Sequence, residues 1–422
     1  MALACCYRVL SVAKRGLRRE FSIYPAKYQI LVCRESSSSI PLAVKLLQET
    51  NSGIKSALDL EEDLALGKDT VFWEFLVTTL RSSSPVKAQL VLEWKLEKML
   101  KENEKDHGCY SELIFLCGKT QNVPFALRVF TSMEALGIRP TSAVFNSLIF
   151  TCLSSGNLTT ALSLFEIMER SEDYKPNSAT YNAFIFMYSE AKDGKAMQTW
   201  YSARKAAGFP PNVQTYESLI VGSIKSKDFG TADRFYEEMV LSGVTPNVSI
   251  LENMVEGLCK QKKIDKANEF LKFMLDGGWE ISIRMAKNLL ELYFELGKVE
   301  EMEELLQGLT KANQNSVVLS RVHCGIIRMY ALSDRLDDLE YAVGRMLKQG
   351  LLFACPDDVE KIICSYFRRA AYERLDLFLE RIRGSYLLTK STYDLLVAGY
   401  RRAGLSERLN SVVRDMELAG IS

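Results

Sequence analysis

Histidine is nearly absent from this chain: His107 and His323 are the only two in 422 residues. Neither has a neighbour at the spacing of a metal site or a catalytic triad, so both are expected to be packing or surface residues. The ten cysteines form no C-x-x-C pair, and no H-x-E accompanies one, which excludes the zinc-deaminase signature. A glycine-rich phosphate loop is also missing, because Gly67-Lys68-Asp69 lacks the upstream glycine and the following Ser or Thr. These gaps argue against an enzyme, and no metal or cofactor is implied. No apolar run reaches the roughly 18 residues needed to cross a bilayer, so no membrane span is expected. Net charge is lacking as well. The 53 Lys and Arg cancel 53 Asp and Glu, and only a local basic stripe remains as a route to a polyanionic partner.

The cysteines (Cys5, Cys6, Cys33, Cys109, Cys117, Cys152, Cys259, Cys324, Cys355 and Cys364) fall mostly among apolar neighbours in helical patterns. They are expected to be buried free thiols of a reducing compartment, with disulfides or zinc as the alternative. Residues 1–40 differ from everything after them. They hold no acid before Glu20, carry Arg8, Lys14, Arg15, Arg18 and Arg19, and end in a serine run. An Arg-rich, acid-poor, Ser-bearing segment of this kind is expected to be a cleaved organelle transit peptide. RREFS resembles a mitochondrial processing site and ILVCRESSSS the end of a chloroplast transit peptide; the expectation leans to chloroplast, with mitochondrion as the alternative.

With 47% hydrophobic residues, the chain exceeds the length at which one compact core usually divides, so two domains or a solenoid are expected. A repeated phrase decides between them. Residues 140–149 read PTSAVFNSLI, 176–185 PNSATYNAFI, 211–220 PNVQTYESLI and 246–255 PNVSILENMV. A fixed period of this size marks one supersecondary unit stacked many times. In 107–141, Tyr110, Leu113, Ile114, Leu116 and Cys117 share one helix face, and Phe125, Ala126, Val129, Phe130 and Met133 share another. Pro124 suits a helix start, and Gly137 with Pro140 a helix end. The unit is therefore helix, turn, helix, turn. Its columns recur: an aromatic at Tyr110, Phe145, Tyr181 and Tyr216 (Leu251 in the fifth unit), Ala at 126, 161, 232 and 267, Met at 133, 168, 239 and 274, and Gly at 137, 208, 243 and 278. Such columns are packing surfaces between stacked hairpins.

The pattern T/V-Y/F-N-x-L-I … A-L-x-L-F-E-x-M … G-x-x-P-N resembles the P-class pentatricopeptide repeat of plant organellar proteins, with GNLTTALSLFEIM (156–168) and EGLCKQKKIDKANEFLKFM (256–274) the nearest matches. In that register the units are His107–Thr141, Ser142–Asn177, Ser178–Asn212, Val213–Asn247 and Val248–Ser282, so 107–282 holds five clear repeats and 283–422 degenerate ones. The resemblance implies an all-α, right-handed superhelical solenoid of about nine helix-turn-helix repeats. Residues 41–105 fit no repeat and are expected to form a helical cap of two helices broken at SSSP (82–85), with a core of Phe72, Trp73, Phe75 and Trp94.

The resemblance also implies a ligand, single-stranded RNA read one base per repeat by the fifth and last residues of each unit. Carried onto this chain, these pairs are Ser111/Thr141, Asn146/Asn177, Asn182/Asn212, Glu217/Asn247 and Glu252/Ser282. Only the two Asn/Asn pairs match a combination the family uses well, one favouring pyrimidines. Position 2, commonly Val in the family, is Gly108, Ala143, Ala179, Gln214 and Ser249. A second implied feature is a ladder of cations for phosphates at Lys119, Lys225, Lys260, Arg369 and Arg402, worth a salt slope of at most roughly −3.5 if all five engage. The acidic runs 60–64, 300–304 and 336–340 are expected to be solvated faces. The implied role is organellar intron splicing, processing or stabilisation of transcripts, beside other RNA-processing proteins or as a homodimer. The rival is a protein scaffold of the related 34-residue tetratricopeptide type. The repeat spacing and terminal Asn residues count against it, while the neutral charge, Glu217 and Glu252 count for it.

Overall fold

In a computed structural model of the protein, the described residues are 42–60, 70–353, 355–384 and 386–421; the expected leader, 1–40, and the Gly67-Lys68-Asp69 stretch lie outside them. Among the described residues every regular element is an α-helix, and the chain divides into two compact units, one ending at Asn247 and one starting at Val248.

The first unit begins with helices 42–48, Ile54–Leu60, Thr70–Ser83 and Pro85–Lys101. The last two break at extended Ser84, and Pro85 takes a first-turn position where its missing N–H costs nothing. Phe72, Trp73 and Trp94 are buried, with Trp73 and Trp94 ring centroids 6.3 Å apart and Trp94 Nε1 donating to Asp59. Phe75, expected in that core, is 37% exposed instead. It follows Trp73 by two residues, and positions two apart on a helix do not share a face. Aliphatic residues such as Leu76, Leu80, Val91 and Leu92 complete the core, which runs without a break into the first hairpin.

Four hairpins follow: His107–Thr120 with Val123–Ala135, Ser142–Ser154 with Leu158–Arg170, Ser178–Glu190 with Gly194–Ala206, and Val213–Lys225 with Phe229–Leu241, here repeats 1 to 4. Their second helices start at Asn122, Asn157, Asp193 and Asp228, whose side chains accept the backbone N–H of Phe125, Thr160, Ala196 and Thr231. Capping of this kind contributes about 1 kcal/mol each. Gly137, Gly208 and Gly243 end second helices with φ of +73, +83 and +74°, the left-handed turn the glycine column implied. Repeat 2 has no such glycine; its extra residue passes through extended Ser171, and Tyr174 stacks on Phe145 at 4.4 Å.

The aromatic, Ala and Met columns are buried as packing surfaces. Repeat 3 departs from two of them. Met197 stands where the others have Ala, and Arg204 where the others have Met. Met197 is accommodated by Gly222 of repeat 4: a β-carbon there would lie 2.6 Å from the methionine sulfur and 2.9 Å from the Ser189 Cα.

The second unit holds repeats 5 to 9: Val248–Lys260 with Ile264–Asp276, Ile283–Leu296 with Val299–Lys311, Ser316–Leu332 with Leu336–Lys348, Pro356–Arg368 with Tyr372–Ile382, and Lys390–Ala403 with Ser406–Leu418. Their second helices begin at Lys263, Lys298, Arg335, Ala371 and Leu405, none with a side-chain cap. A recurring polar clasp joins neighbouring repeats instead. Glu303 takes the Tyr330 hydroxyl (3.3 Å) and Arg345 (2.8 Å); Glu340 takes Tyr366 (3.0 Å) and Arg374 (2.8 Å); Asp376 takes Tyr400 (2.8 Å) and Arg408 (2.8 Å). The acidic runs 300–304 and 336–340 are therefore more than solvated faces, because Glu303 and Glu340 bridge repeats. The seven cysteines among the described residues are free thiols, and burial pushes Cys117 and Cys259 up to about 12. His107 is exposed, and His323 is fully buried with Nε2 3.0 Å from Gln349 Oε1.

Replacing Gly222 with Val overpacks the Met197 contact against a gain of only about a few tenths of a kcal/mol in helix propensity, and is expected to lower the urea-unfolding free energy by about 1–3 kcal/mol. Glu340→Ala strips the buried Tyr366 hydroxyl of its acceptor and leaves Arg374 with Asp337 alone. A loss of about 1–3 kcal/mol in the same measurement is expected.

Candidate nucleic-acid interface

Asn177 and Asn212, which end repeats 2 and 3, are also the N-caps of the next first helices, and this double duty builds the site. Asn177 Oδ1 accepts from the backbone N–H of Ala179 (3.0 Å) and Thr180 (3.3 Å), while Thr180 Oγ1 accepts from Asn177 N (2.9 Å), a reciprocal capping box. Into this box reaches Asn146 from the previous repeat. Its Nδ2 donates to Asn177 Oδ1 (3.1 Å), and its Oδ1 accepts from Thr180 Oγ1 (2.6 Å). The next boundary repeats the arrangement: Asn212 caps at Thr215, Asn182 Nδ2 donates to Asn212 Oδ1 (3.3 Å), and Thr215 Oγ1 lies 2.9 Å from Asn182 Oδ1. Both pairs are thus joined in space. Asn146, Asn177 and Asn182 are half-buried and Asn212 is exposed.

The bonding dictates what each pair offers. The amide oxygens are consumed by capping and by threonine, so the remaining capacity is N–H. Asn177 and Asn212 Nδ2 carry no protein partner among the described residues, and each boundary presents donors. At the third boundary the sign changes: Asn247 Nδ2 donates to Glu217 Oε2 (2.9 Å), which puts a carboxylate in the row. The remaining two pairs are not joined. Ser111 Oγ bonds Ser147 Oγ (3.0 Å), leaving Thr141 Oγ1 buried without a partner. In the second unit Ser282 caps Met285, and Glu252 lies 3.4 Å from Arg284, which also bonds Glu256.

The cation ladder is largely neutralised. Lys119 pairs with Glu74 (2.6 Å), Lys225 with Glu190 (2.6 Å) and Lys260 with Glu256 (2.6 Å), whereas Arg369 and Arg402 are exposed with no ion pair among the described residues. Half-exposed pairs of this sort contribute little to stability and open readily, but a paired lysine contributes less attraction to phosphate than a free one. One turn beyond Ser111, Asn146 and Asn182 on the same helix faces stand Phe115, Phe150 and Phe186. The first two stack at 4.8 Å with Lys119 Nζ over both rings, at 4.9 and 5.4 Å, and Phe186 is 48% exposed.

Residues 104–155 match the family model described as a pentatricopeptide repeat domain, and 145–328 the model described as the pentacotripeptide-repeat region of PRORP; together they span more than half of the chain. The chain belongs to the pentatricopeptide-repeat family. No curated protein matches it in sequence. Among solved structures, the crystal structure of the pentatricopeptide repeat protein PPR10 from maize is similar at 16% identity and a TM-score of 0.57, over 86% of this chain and 56% of that one. The chain therefore spans just over half the length of the maize protein. Yeast Rmd9p in complex with a 16-nt target RNA matches at 12% identity, with a TM-score of 0.43, over 93% of this chain and 90% of that one. The pentatricopeptide domain of Arabidopsis thaliana protein-only RNase P 1 in complex with tRNA matches at 22% identity, with a TM-score of 0.36, over 47% of this chain and 98% of that one.

Within this pentatricopeptide frame, four features of the site escaped the sequence reading: Thr180 and Thr215 as bridges, the Phe115–Phe150–Phe186 row, and Arg204 behind Asn182. The threonines were visible as T-Y-N and T-Y-E after each PN, three residues past the cap. Arg204 was visible as the gap in the methionine column. Because Asn177 starts a helix as well as facing Asn146, Asn177→Ala is expected to cost about 1 kcal/mol in urea unfolding, and Asn146→Ala distinctly less.

Proposed function

We propose that this protein binds single-stranded RNA without processing it chemically, reading bases at consecutive repeat boundaries with Asn146/Asn177 and Asn182/Asn212. The observation that carries the reading is the pairing of amides at two successive boundaries, each with its oxygens spent inside the protein and its N–H groups left for a ligand. Donors of that kind suit the acceptor-bearing Watson–Crick edge of a pyrimidine. The phenylalanine row one turn away supplies apolar faces on which unpaired bases can stack, at about 1–3 kcal/mol per base. Family membership points to the same ligand. The organellar setting, chloroplast ahead of mitochondrion, and a part in splicing, processing or stabilising a transcript with protein partners or as a homodimer belong to this same proposal. Glu217 breaks the row of donors after two boundaries, which fits a short recognition segment.

A protein scaffold is the second reading, favoured by the ion-paired state of Lys119, Lys225 and Lys260. Filter binding separates the two. Asn146→Ala with Asn182→Ala is expected to weaken binding to a pyrimidine-rich RNA by tenfold or more, about 1–3 kcal/mol per base by analogy with stacking, with helicity unchanged. Unchanged affinity in the folded double variant would remove the base-reading assignment.

A further inference from the structure

Arg204 is a fully buried charge of the first unit, at 1% exposure, and no carboxylate bonds it among the described residues. The same place in repeats 1, 2, 4 and 5 holds Met133, Met168, Met239 and Met274, all fully buried. A guanidinium sealed from water without an anion is costly, and burial draws its pKa below the usual arginine value. Its Nη1 donates to Ser178 O (2.6 Å) and Asn182 Oδ1 (3.1 Å), its Nη2 to Pro210 O (2.7 Å), and its Nε has no partner. The two carbonyls do not require it. Ser178 O is the acceptor of a helical first turn, and Pro210 is exposed to water.

Asn182 does require it. At the repeat 2 boundary the Thr180 hydroxyl is 2.6 Å from Asn146 Oδ1 and 3.3 Å from Asn177 Oδ1, so its single hydrogen goes to Asn146. At the repeat 3 boundary the Thr215 hydroxyl is 2.9 Å from Asn182 Oδ1 and 2.8 Å from Asn212 Oδ1, and one hydrogen cannot serve both. The Asn182–Asn212 bond is also the longer of the two amide pairs, 3.3 against 3.1 Å. Without a further donor, only the 3.3 Å bond from Nδ2 to Asn212 Oδ1 keeps Asn182 from turning over to present its oxygen. With Arg204 in place, a turned amide would set Nδ2 against Nη1, donor against donor.

We propose that Arg204 is a positioning residue for base selection, its buried guanidinium holding Asn182 Oδ1 inward so that the repeat 3 boundary offers only N–H to the ligand. The inference rests on the RNA-binding reading above, and the experiment keeps the two apart. Full-length wild type, Arg204→Met and Arg204→Gln are titrated with the RNA decamers C10 and A10, homopolymers chosen so that binding register is immaterial, and melted in parallel. Wild type is expected to prefer C10. Arg204→Met, which restores the residue of the other repeats, is expected to melt at or above wild type and to lose about fivefold in the C10/A10 ratio, the effect of one hydrogen bond. Arg204→Gln, uncharged but able to donate to Asn182, is expected to fall between them. A wild type indifferent to the two decamers would overturn the base-reading proposal itself. A wild-type preference that Arg204→Met retains in full, or that Arg204→Gln loses as completely as Arg204→Met, would overturn the role of Arg204 alone.

Discussion

One side-chain oxygen, that of the asparagine closing a repeat, ties the architecture of the first unit to its surface chemistry. Asn177 Oδ1 satisfies backbone N–H groups that the start of any helix leaves open, and the same atom receives the amide of Asn146 from the repeat before. Helix initiation and side-chain orientation are consequently one event. The first helix of repeat 3 cannot begin in another register without releasing Asn146, and the offset between successive pairs equals the offset between successive helices. A ligand meeting this wall meets groups held at fixed steps by backbone geometry, where flexible loops would have to be ordered on binding.

Charge plays a smaller part than a basic ladder suggests. Each of Lys119, Lys225 and Lys260 has a glutamate at 2.6 Å, so attraction of a polyanion to them first requires a local ion pair to open. In the proposed reading affinity then leans on amide hydrogen bonds and on aromatic faces, terms that salt affects weakly. Arg204 is the complementary case: a cation buried where no phosphate can reach it, its Nη1 bonded to the amide oxygen of Asn182 in front.

Much of this was legible in the residues. The period, the aromatic, alanine, methionine and glycine columns and the break at Ser84-Pro85 all follow from local rules that one repeat shows and the next repeats. Legibility failed where a residue's role depends on its neighbour in space. Phe75 looks like its neighbours Phe72 and Trp73 in composition, yet it stands outside the buried stripe centred on Trp73, Leu76 and Leu80. Glu303 and Glu340 read as solvated charges until Tyr330, Tyr366, Arg345 and Arg374 are brought beside them from the following repeats. Thr180 and Thr215 are ordinary helix-start residues in the sequence, and their reach to Asn146 and Asn182 exists only across a boundary. The fading of the repeat signal after Ser282 has the same origin. Second helices there begin at lysine, arginine, alanine or leucine, and the stabilisation that capping supplies elsewhere comes from contacts between repeats.

Those contacts bear on how the second unit can change. Each carboxylate of the Tyr–acid–Arg clasps is owned by one hairpin and satisfied by the next, so a hairpin cut out and transplanted carries an acceptor for a successor it has left and donors for a predecessor it no longer touches. The natural module for grafting is therefore the seam, running from the middle of one hairpin to the middle of its neighbour. In the first unit each second helix brings its own cap, yet the Asn146–Asn177, Asn182–Asn212 and Tyr201–Glu238 bonds place the same kind of seam between hairpins.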